Sequence, residues 1–371
     1  MPPLSPTWIV RHHAPVAIHA VALVNDGKDL IVGDAKGRIS VTSMSNFRPH
    51  VFWQAHQDTI LRADAWYGFL VTHGRDNKIC VWRMPSEQVP AALTSSLAKD
   101  LPEPTLVLTL DVNALNYCAY DMTVQACTQD GLKGWVAVPH TLESAWIDVY
   151  ELPSKRRIVE ALGRQDVLRT GAERPAIVMA LQCCRTNDGH TLCAGYEDGT
   201  IQAWTFDYDW TPTLLWTHKP HAESVMALAL APDRTYVVSV GADRALVQTA
   251  LLADALPRSY DATRPGHASV AIDARGHTMA VGCWSSKTHL YTLPSMSKTM
   301  TLPYHKEGIY AVAYSRYGPT HTLAVHQNDS DCSSEDDQNS TKAPTHEILA
   351  CGSKDGRVSL WNIPTTGPDE R

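Results

Sequence analysis

The chain has 371 residues, 44% hydrophobic and 19% charged, with a formal net charge of −7. That is apolar enough for a large core, yet no run reaches the roughly eighteen apolar residues of a membrane-spanning helix. Acids and bases are mixed without a Lys/Arg cluster, which argues against direct nucleic-acid binding, and nine cysteines without a Cys-x-x-Cys pair read as buried residues of a soluble intracellular protein.

In chain order, a lone extended run, Thr7-Trp8-Ile9-Val10, comes first. His12-His13 and an apolar stretch from Val16 to Val24 follow, and the polar turn Gly33-Asp34-Ala35-Lys36-Gly37 then divides two β-branched runs. The pattern is clearest from His56 to Trp82. There Leu70-Val71-Thr72 meets the turn Gly74-Arg75-Asp76-Asn77, and Ile79-Cys80-Val81-Trp82 leaves it, as in a β-hairpin. The turn returns at Gly195-Tyr196-Glu197-Asp198-Gly199, Gly241-Ala242-Asp243-Arg244, Gly282-Cys283-Trp284-Ser285 and Gly352-Ser353-Lys354-Asp355-Gly356. Spacings are 41 residues from Gly33 to Gly74, 46 from Gly195 to Gly241 and 41 from Gly241 to Gly282. The 121 residues from Gly74 to Gly195 fit two enlarged copies, one of them degenerate: Trp135 to Val138, a turn from His140 to Ser144, then Trp146 to Tyr150. The 70 residues from Gly282 to Gly352 hold one insertion, so seven units result.

A period of about 40 to 45 residues with Gly-His and terminal Trp is the signature of WD repeats. The expected fold is an all-β, seven-bladed WD40-repeat β-propeller, a single domain over residues 1–371. The N-terminal strand closes it by completing the last blade beside Val358-Ser359-Leu360-Trp361, which removes both open sheet edges. The Gly-His dipeptide is intact only as Gly266-His267 and is otherwise His12-His13, Ala55-His56, Pro220-His221 and Tyr304-His305. Three loops exceed what the fold needs. Pro85 to Pro104 should leave blade two on the bottom face, and Gly163 to Pro175 should join blades three and four on the top. Residues 315–346 form an acidic insertion in the last blade that should be disordered, and Ser333 and Ser334, each three residues before an aspartate, are candidate sites of acidophilic phosphorylation.

Three copies carry a His, a hydroxyl or thiol, and an Asp: His56, Thr72, Asp76 with Trp82; His221, Ser239, Asp243; and His305, Cys351, Asp355 with Trp361. These types also build catalytic triads, but repetition around a ring has no catalytic rationale. They are expected to form buried hydrogen-bond networks of on the order of one to a few kcal/mol each. Lys36 and Ser285 stand in the Asp position of copies one and six, which should be weaker there. No phosphate-loop, dinucleotide, zinc-hydrolase or nucleophile-elbow motif is present, so a protein without catalytic activity, cofactor or metal is expected. The residue before each turn Asp should project on the top face: Ala35, Arg75, Glu197, Ala242, Trp284 and Lys354. Of these Arg75, Glu197, Trp284 and Lys354 are candidate partner contacts. Trp284 is expected to pack between blades, with exposure as the alternative.

Four strings are more specific: Thr72-His73-Gly74-Arg75-Asp76-Asn77-Lys78, Ala194 to Gly199, His305-Lys306-Glu307-Gly308-Ile309-Tyr310-Ala311-Val312-Ala313, and Gly352 to Trp361. With the opening Pro3 to Thr7, they make the chain resemble the fungal ASTRA-associated protein 1 family, whose animal relatives are the G-protein β-subunit-like proteins. The resemblance implies a monomeric propeller serving as a nuclear scaffold subunit of the ASTRA assembly, linked to chromatin remodelling. It also implies protein partners shared with the TTT co-chaperone, whose clients are phosphatidylinositol-3-kinase-related kinases. Lys36 and Ser285 depart from the family pattern. The alternative is a substrate receptor of a cullin-type ubiquitin ligase, but the Trp-Asp-x-Arg/Lys signature of that class is replaced by Trp82-Arg83-Met84, Trp204-Thr205-Phe206 and Trp361-Asn362-Ile363.

Overall fold

Seven antiparallel four-stranded sheets stand around a common axis, giving a seven-bladed β-propeller. The computed structural model describes residues 5–85, 101–114, 117–128, 131–171, 173–186, 189–315 and 346–364. The innermost strands of blades one to seven are Ile18–Val24, Ile60–Trp66, Asp121–Thr128, Val178–Thr186, Val225–Leu230, His267–Ile272 and Ile309–Tyr314. Blade seven is closed as expected: Trp8–Val10 pairs with Val358–Pro364, with Trp8 opposite Leu360 and Val10 opposite Val358.

The strands of a blade read as unbroken apolar runs because both faces are covered. Successive side chains point to opposite faces of a strand. In Phe69–Gly74, Leu70 packs toward blade one, whereas Phe69 and Val71 pack toward blade three. The core is therefore divided into seven wedges, one in each gap between neighbouring blades. Each fully buried Leu, Ile or Val in a wedge contributes about 1.5–3 kcal/mol. Nearer the axis, Arg62 of blade two reaches Asp64 at 3.0 Å and Asp121 of blade three at 2.7 Å. Asp121 also accepts the Cys183 backbone N–H, so one polar cluster ties three blades.

The loop at Pro85 joins the third and fourth strands of blade two, Lys78–Arg83 and Thr105–Asp111, instead of leaving the blade; residues 86–100 lie outside the described residues. Gly163 to Pro175 contains a short helix, Arg164–Thr170. The acidic insertion falls between the first two strands of blade seven, Ile309–Tyr314 and His346–Ser353. Residues 316–345 lie outside the described residues, and with them Ser333, Ser334 and the expectation of disorder.

Candidate protein-docking face

The His networks lie where each outer loop meets the inner turn of its blade. In blade two, His56 Nδ1 is 2.9 Å from Asp76 Oδ1 and Nε2 is 2.7 Å from Thr72 Oγ1; the Trp82 indole N–H donates to the same oxygen at 2.8 Å. A carboxylate only accepts, so Nδ1 carries the proton and Nε2 accepts from the Thr72 hydroxyl. Every donor of this network has a partner, and Thr72 is fully buried. Gly74 is required here: a Cβ on it would come within 2.4 Å of His56 Nδ1. Blade five repeats the arrangement, with His221 at 3.0 Å from Asp243 and 2.8 Å from Ser239. Burial alone would raise the carboxyls of Asp76 and Asp243, but their His and backbone N–H partners outweigh it and hold both below the usual range.

Blade seven departs from expectation. His305 Nδ1 pairs with Asp355 at 2.9 Å, but Nε2 meets Ser359 Oγ at 2.8 Å, not Cys351. Trp361 Nε1 donates to Ser359 as well, at 2.8 Å. Ser359 lies directly across the strand pair from Cys351, just as Cys80 lies across from Thr72. Hydroxyl and thiol have exchanged strands between the two blades, and the better acceptor takes the bridging place. The Cys351 thiol instead receives the Thr288 hydroxyl.

Blade one is not weakened by Lys36. Asp34, two residues earlier, reaches His13 Nδ1 at 2.8 Å, and His13 Nε2 meets Ser40 at 2.9 Å. Arg38 also binds Asp34, and burial lowers the basicity of His13. The dipeptide Gly266-His267 is not a network element. His267 opens the innermost strand of blade six, the place held by Ile60, Val225 and Ile309 elsewhere, and its Nδ1 is buried without a partner. Gly266 is needed for a different reason: a Cβ there would meet the Trp284 ring at 2.8 Å. In blade four, Trp204 has no hydroxyl partner for its indole N–H.

The six top-face positions are structurally equivalent. The backbone N–H of Ala35, Arg75, Glu197, Ala242, Trp284 and Lys354 donates in each case to the residue just before the innermost strand: Ala17, Thr59, Ile177, Ser224, Gly266 and Gly308. Trp284 is 48% exposed, contrary to the expected packing between blades, because its ring lies across the bare backbone of Gly266 instead of entering a wedge. Glu197 and Lys354 are exposed. Arg75 is half-buried and engaged: its guanidinium sits 4.0 Å from the centre of the Tyr117 ring and donates to the Tyr117 hydroxyl at 2.8 Å.

Inside this ring opens an axial channel of about 940 Å³. The second residue of six innermost strands lines it: His19, Leu61, Met179, Met226, Ala268 and Tyr310, with Tyr117 and Trp284 at its edge. The His19 ring lies 4.9 Å from Tyr310 and 6.4 Å from Tyr117. Burial, then the Arg75 charge, keeps His19 below its ordinary pKa and so uncharged at neutral pH. Leu142, Leu168 and Ile177 add exposed apolar surface on the same face. Sequence reading missed Tyr117 and Tyr310. The strand position of Tyr310, one past a buried Ile, was the available signal; Tyr117 stands in a segment without repeat spacing. Among the described residues no group of three His, Cys, Asp or Glu side chains could hold a metal ion.

Comparison with known proteins agrees with this architecture. The family model for the WD domain, G-beta repeat, matches residues 212–247 and 296–362. The chain is 30% identical to ASTRA-associated protein 1 of Verticillium alfalfae, over 96% of this chain and 92% of that protein. It belongs to the ASTRA-associated protein 1 family. Family members from Aspergillus niger, 28% identical over 98% of each chain, and Schizosaccharomyces pombe, 22% identical over 97% of this chain and 99% of that one, align along nearly the whole length. A WD-repeat scaffold that acts through protein–protein contacts in a complex fits both the family and the propeller.

Proposed function

We propose that this protein is a non-catalytic scaffold subunit of a nuclear ASTRA-type assembly, connected to chromatin remodelling and to the TTT co-chaperone of phosphatidylinositol-3-kinase-related kinases. Partners dock on the top face, around the channel mouth. The observation that carries the reading is the gathering of Trp284, Tyr117, Ile177, Leu142 and Leu168, all exposed, on the face where the six equivalent turn residues project. Exposed Trp and Tyr are enriched among the few residues that supply most interface energy, and exposed apolar surface gathered on one face marks an interaction site. The His–hydroxyl–Asp sets give no reason to assign catalysis, since the hydroxyls of Thr72 and Ser359 are buried and committed to His and Trp on both sides. Affinity purification with mass spectrometry tests the proposal. Recovery of TTT-type subunits and kinase-family clients, lost with Trp284→Ala, is expected; a cullin adaptor as the main partner would overturn it. Imaging of the tagged protein checks nuclear residence.

A further inference from the structure

The top face is electrostatically divided. Over blades three to five four cations are paired with carboxylates, Arg157 with Glu160 at 2.8 Å, Arg174 with Glu143 at 3.6 Å, Lys219 with Asp198 at 3.2 Å and Arg244 with Asp261 at 3.7 Å, while Arg164 is exposed without an ion pair among the described residues. Over blades six, seven and one, Arg264, Lys287, Lys306, Lys354 and Lys36 are all exposed, and none forms an ion pair among the described residues. The carboxylates near these loops are few: Asp34 and Asp355 are committed to His13 and His305, Asp261 is paired with Arg244, and Glu307 and Asp58 are exposed without an ion pair among the described residues. This positive arc stands on a chain of net charge −7. The pKa of His289 in blade six falls to about 4 through burial first, then Lys298 and His267, with Lys287 and Arg264 of the arc as the smaller causes.

The arc is continuous with the channel mouth. The Lys354 N–H donates to the Gly308 carbonyl at 2.9 Å, tying the turn of blade seven to the loop that carries Lys306, and Gly308 lies against Trp284. Tyr310, two residues further on, lines the channel. A row of unpaired cations thus borders an open mouth lined by Trp, Tyr, Met and Leu. Like charges held together without counter-ions are relieved by an anionic ligand, and the apolar mouth beside them has room for a large side chain. A nucleic acid would meet the cations but leave Met179, Met226 and Leu61 without a complement.

We propose that the arc over blades six, seven and one docks an acidic segment of a protein partner, with one bulky apolar side chain of that segment seated in the channel mouth beside Trp284 and Tyr310. This deepens the top-face reading and rests on it. The test places a photo-reactive benzoylphenylalanine at position 284, at 310, or at the 83% exposed Tyr208 on the opposite face, in the full-length protein inside cells. The captured segments are then sequenced. Expected are cross-links from 284 and 310 to segments in which Asp and Glu outnumber Lys and Arg around an aromatic or aliphatic residue. Lys287→Glu/Lys306→Glu/Lys354→Glu, which touches no ion pair and should keep the parent melting temperature, should lower their yield about tenfold. Cross-links from 284 to neutral or basic segments would overturn the acidic partner while leaving the top face as the docking site. Nucleic acid, or the chain's own stretch 329–337, in the captured material would also overturn it. Capture at 208 but not at 284 would sink the top-face reading itself.

Discussion

Removing a single hydroxyl in blade seven separates the observed network from the one expected of its repeat. Ser359 is fully buried and bridges His305 Nε2 and the Trp361 indole N–H, both at 2.8 Å. Ser359→Ala leaves a donor and an acceptor without partners in a wedge that water does not reach. At about 1–3 kcal/mol for each orphaned group, the loss is about 2–6 kcal/mol, a large part of the 5–15 kcal/mol that holds a typical domain. Cys351→Ala removes a small buried group and a weak Thr288 contact at 3.4 Å, and should cost only about 1 kcal/mol. The exchange Cys351→Ser/Ser359→Cys restores the blade-two order of hydroxyl and thiol and should recover at least half of the Ser359→Cys loss. Urea unfolding followed by tryptophan fluorescence reads all four variants as midpoint shifts at constant slope. A Ser359→Ala loss below about 1 kcal/mol, or a Cys351→Ala loss as large as that of Ser359→Ala, would refute the assignment of the bridging oxygen.

Two other buried charges give predictions of opposite kind. Glu347 is 3% exposed with one oxygen unpartnered, and its pKa is raised to about 7 by burial and then by Asp273. A folded-state pKa above the ordinary value makes its contribution fully favourable below pH 4.5 and loses it as pH rises through about 7. Glu347→Gln should therefore stabilise the fold at pH 8.5 by roughly 3 kcal/mol, read as a higher melting temperature, and leave the melting temperature nearly unchanged at pH 5; equal gains at both pH values would contradict the mechanism. Arg62→Leu removes the cation between Asp64 and Asp121 and should destabilise by about 3–5 kcal/mol at pH 7.5. A loss under about 1 kcal/mol in denaturant titration would mean that the cluster does not tie blades two, three and four together.

Much of the architecture could be read from local patterns, because a propeller blade is a local object. The glycine turns, the alternating runs around them and the terminal tryptophans each depend on residues within one repeat, so they fixed the number of blades and the closing strand. The same locality made Thr72 and Ser239 legible as partners of His56 and His221. Reading failed where two positions could serve one purpose. Ser359 and Cys351 face each other across a strand pair, and Asp34 and Lys36 share one turn; only the distances between side chains decide which atom meets the histidine. It also failed at Gly266-His267, where a familiar dipeptide belongs to a different place in the fold, set by the register of His267 against Cys283. The character of the top face was beyond sequence altogether. Arg264, Lys287, Lys306, Lys354 and Lys36 are scattered over more than three hundred residues and amount to no cluster in the chain. Closing the ring brings blade six beside seven and seven beside one, so charges remote in sequence share one rim. The sequence by itself determined how each blade folds; the tertiary structure alone decided which residues the blades present together, since that follows from the order of the sheets around the axis.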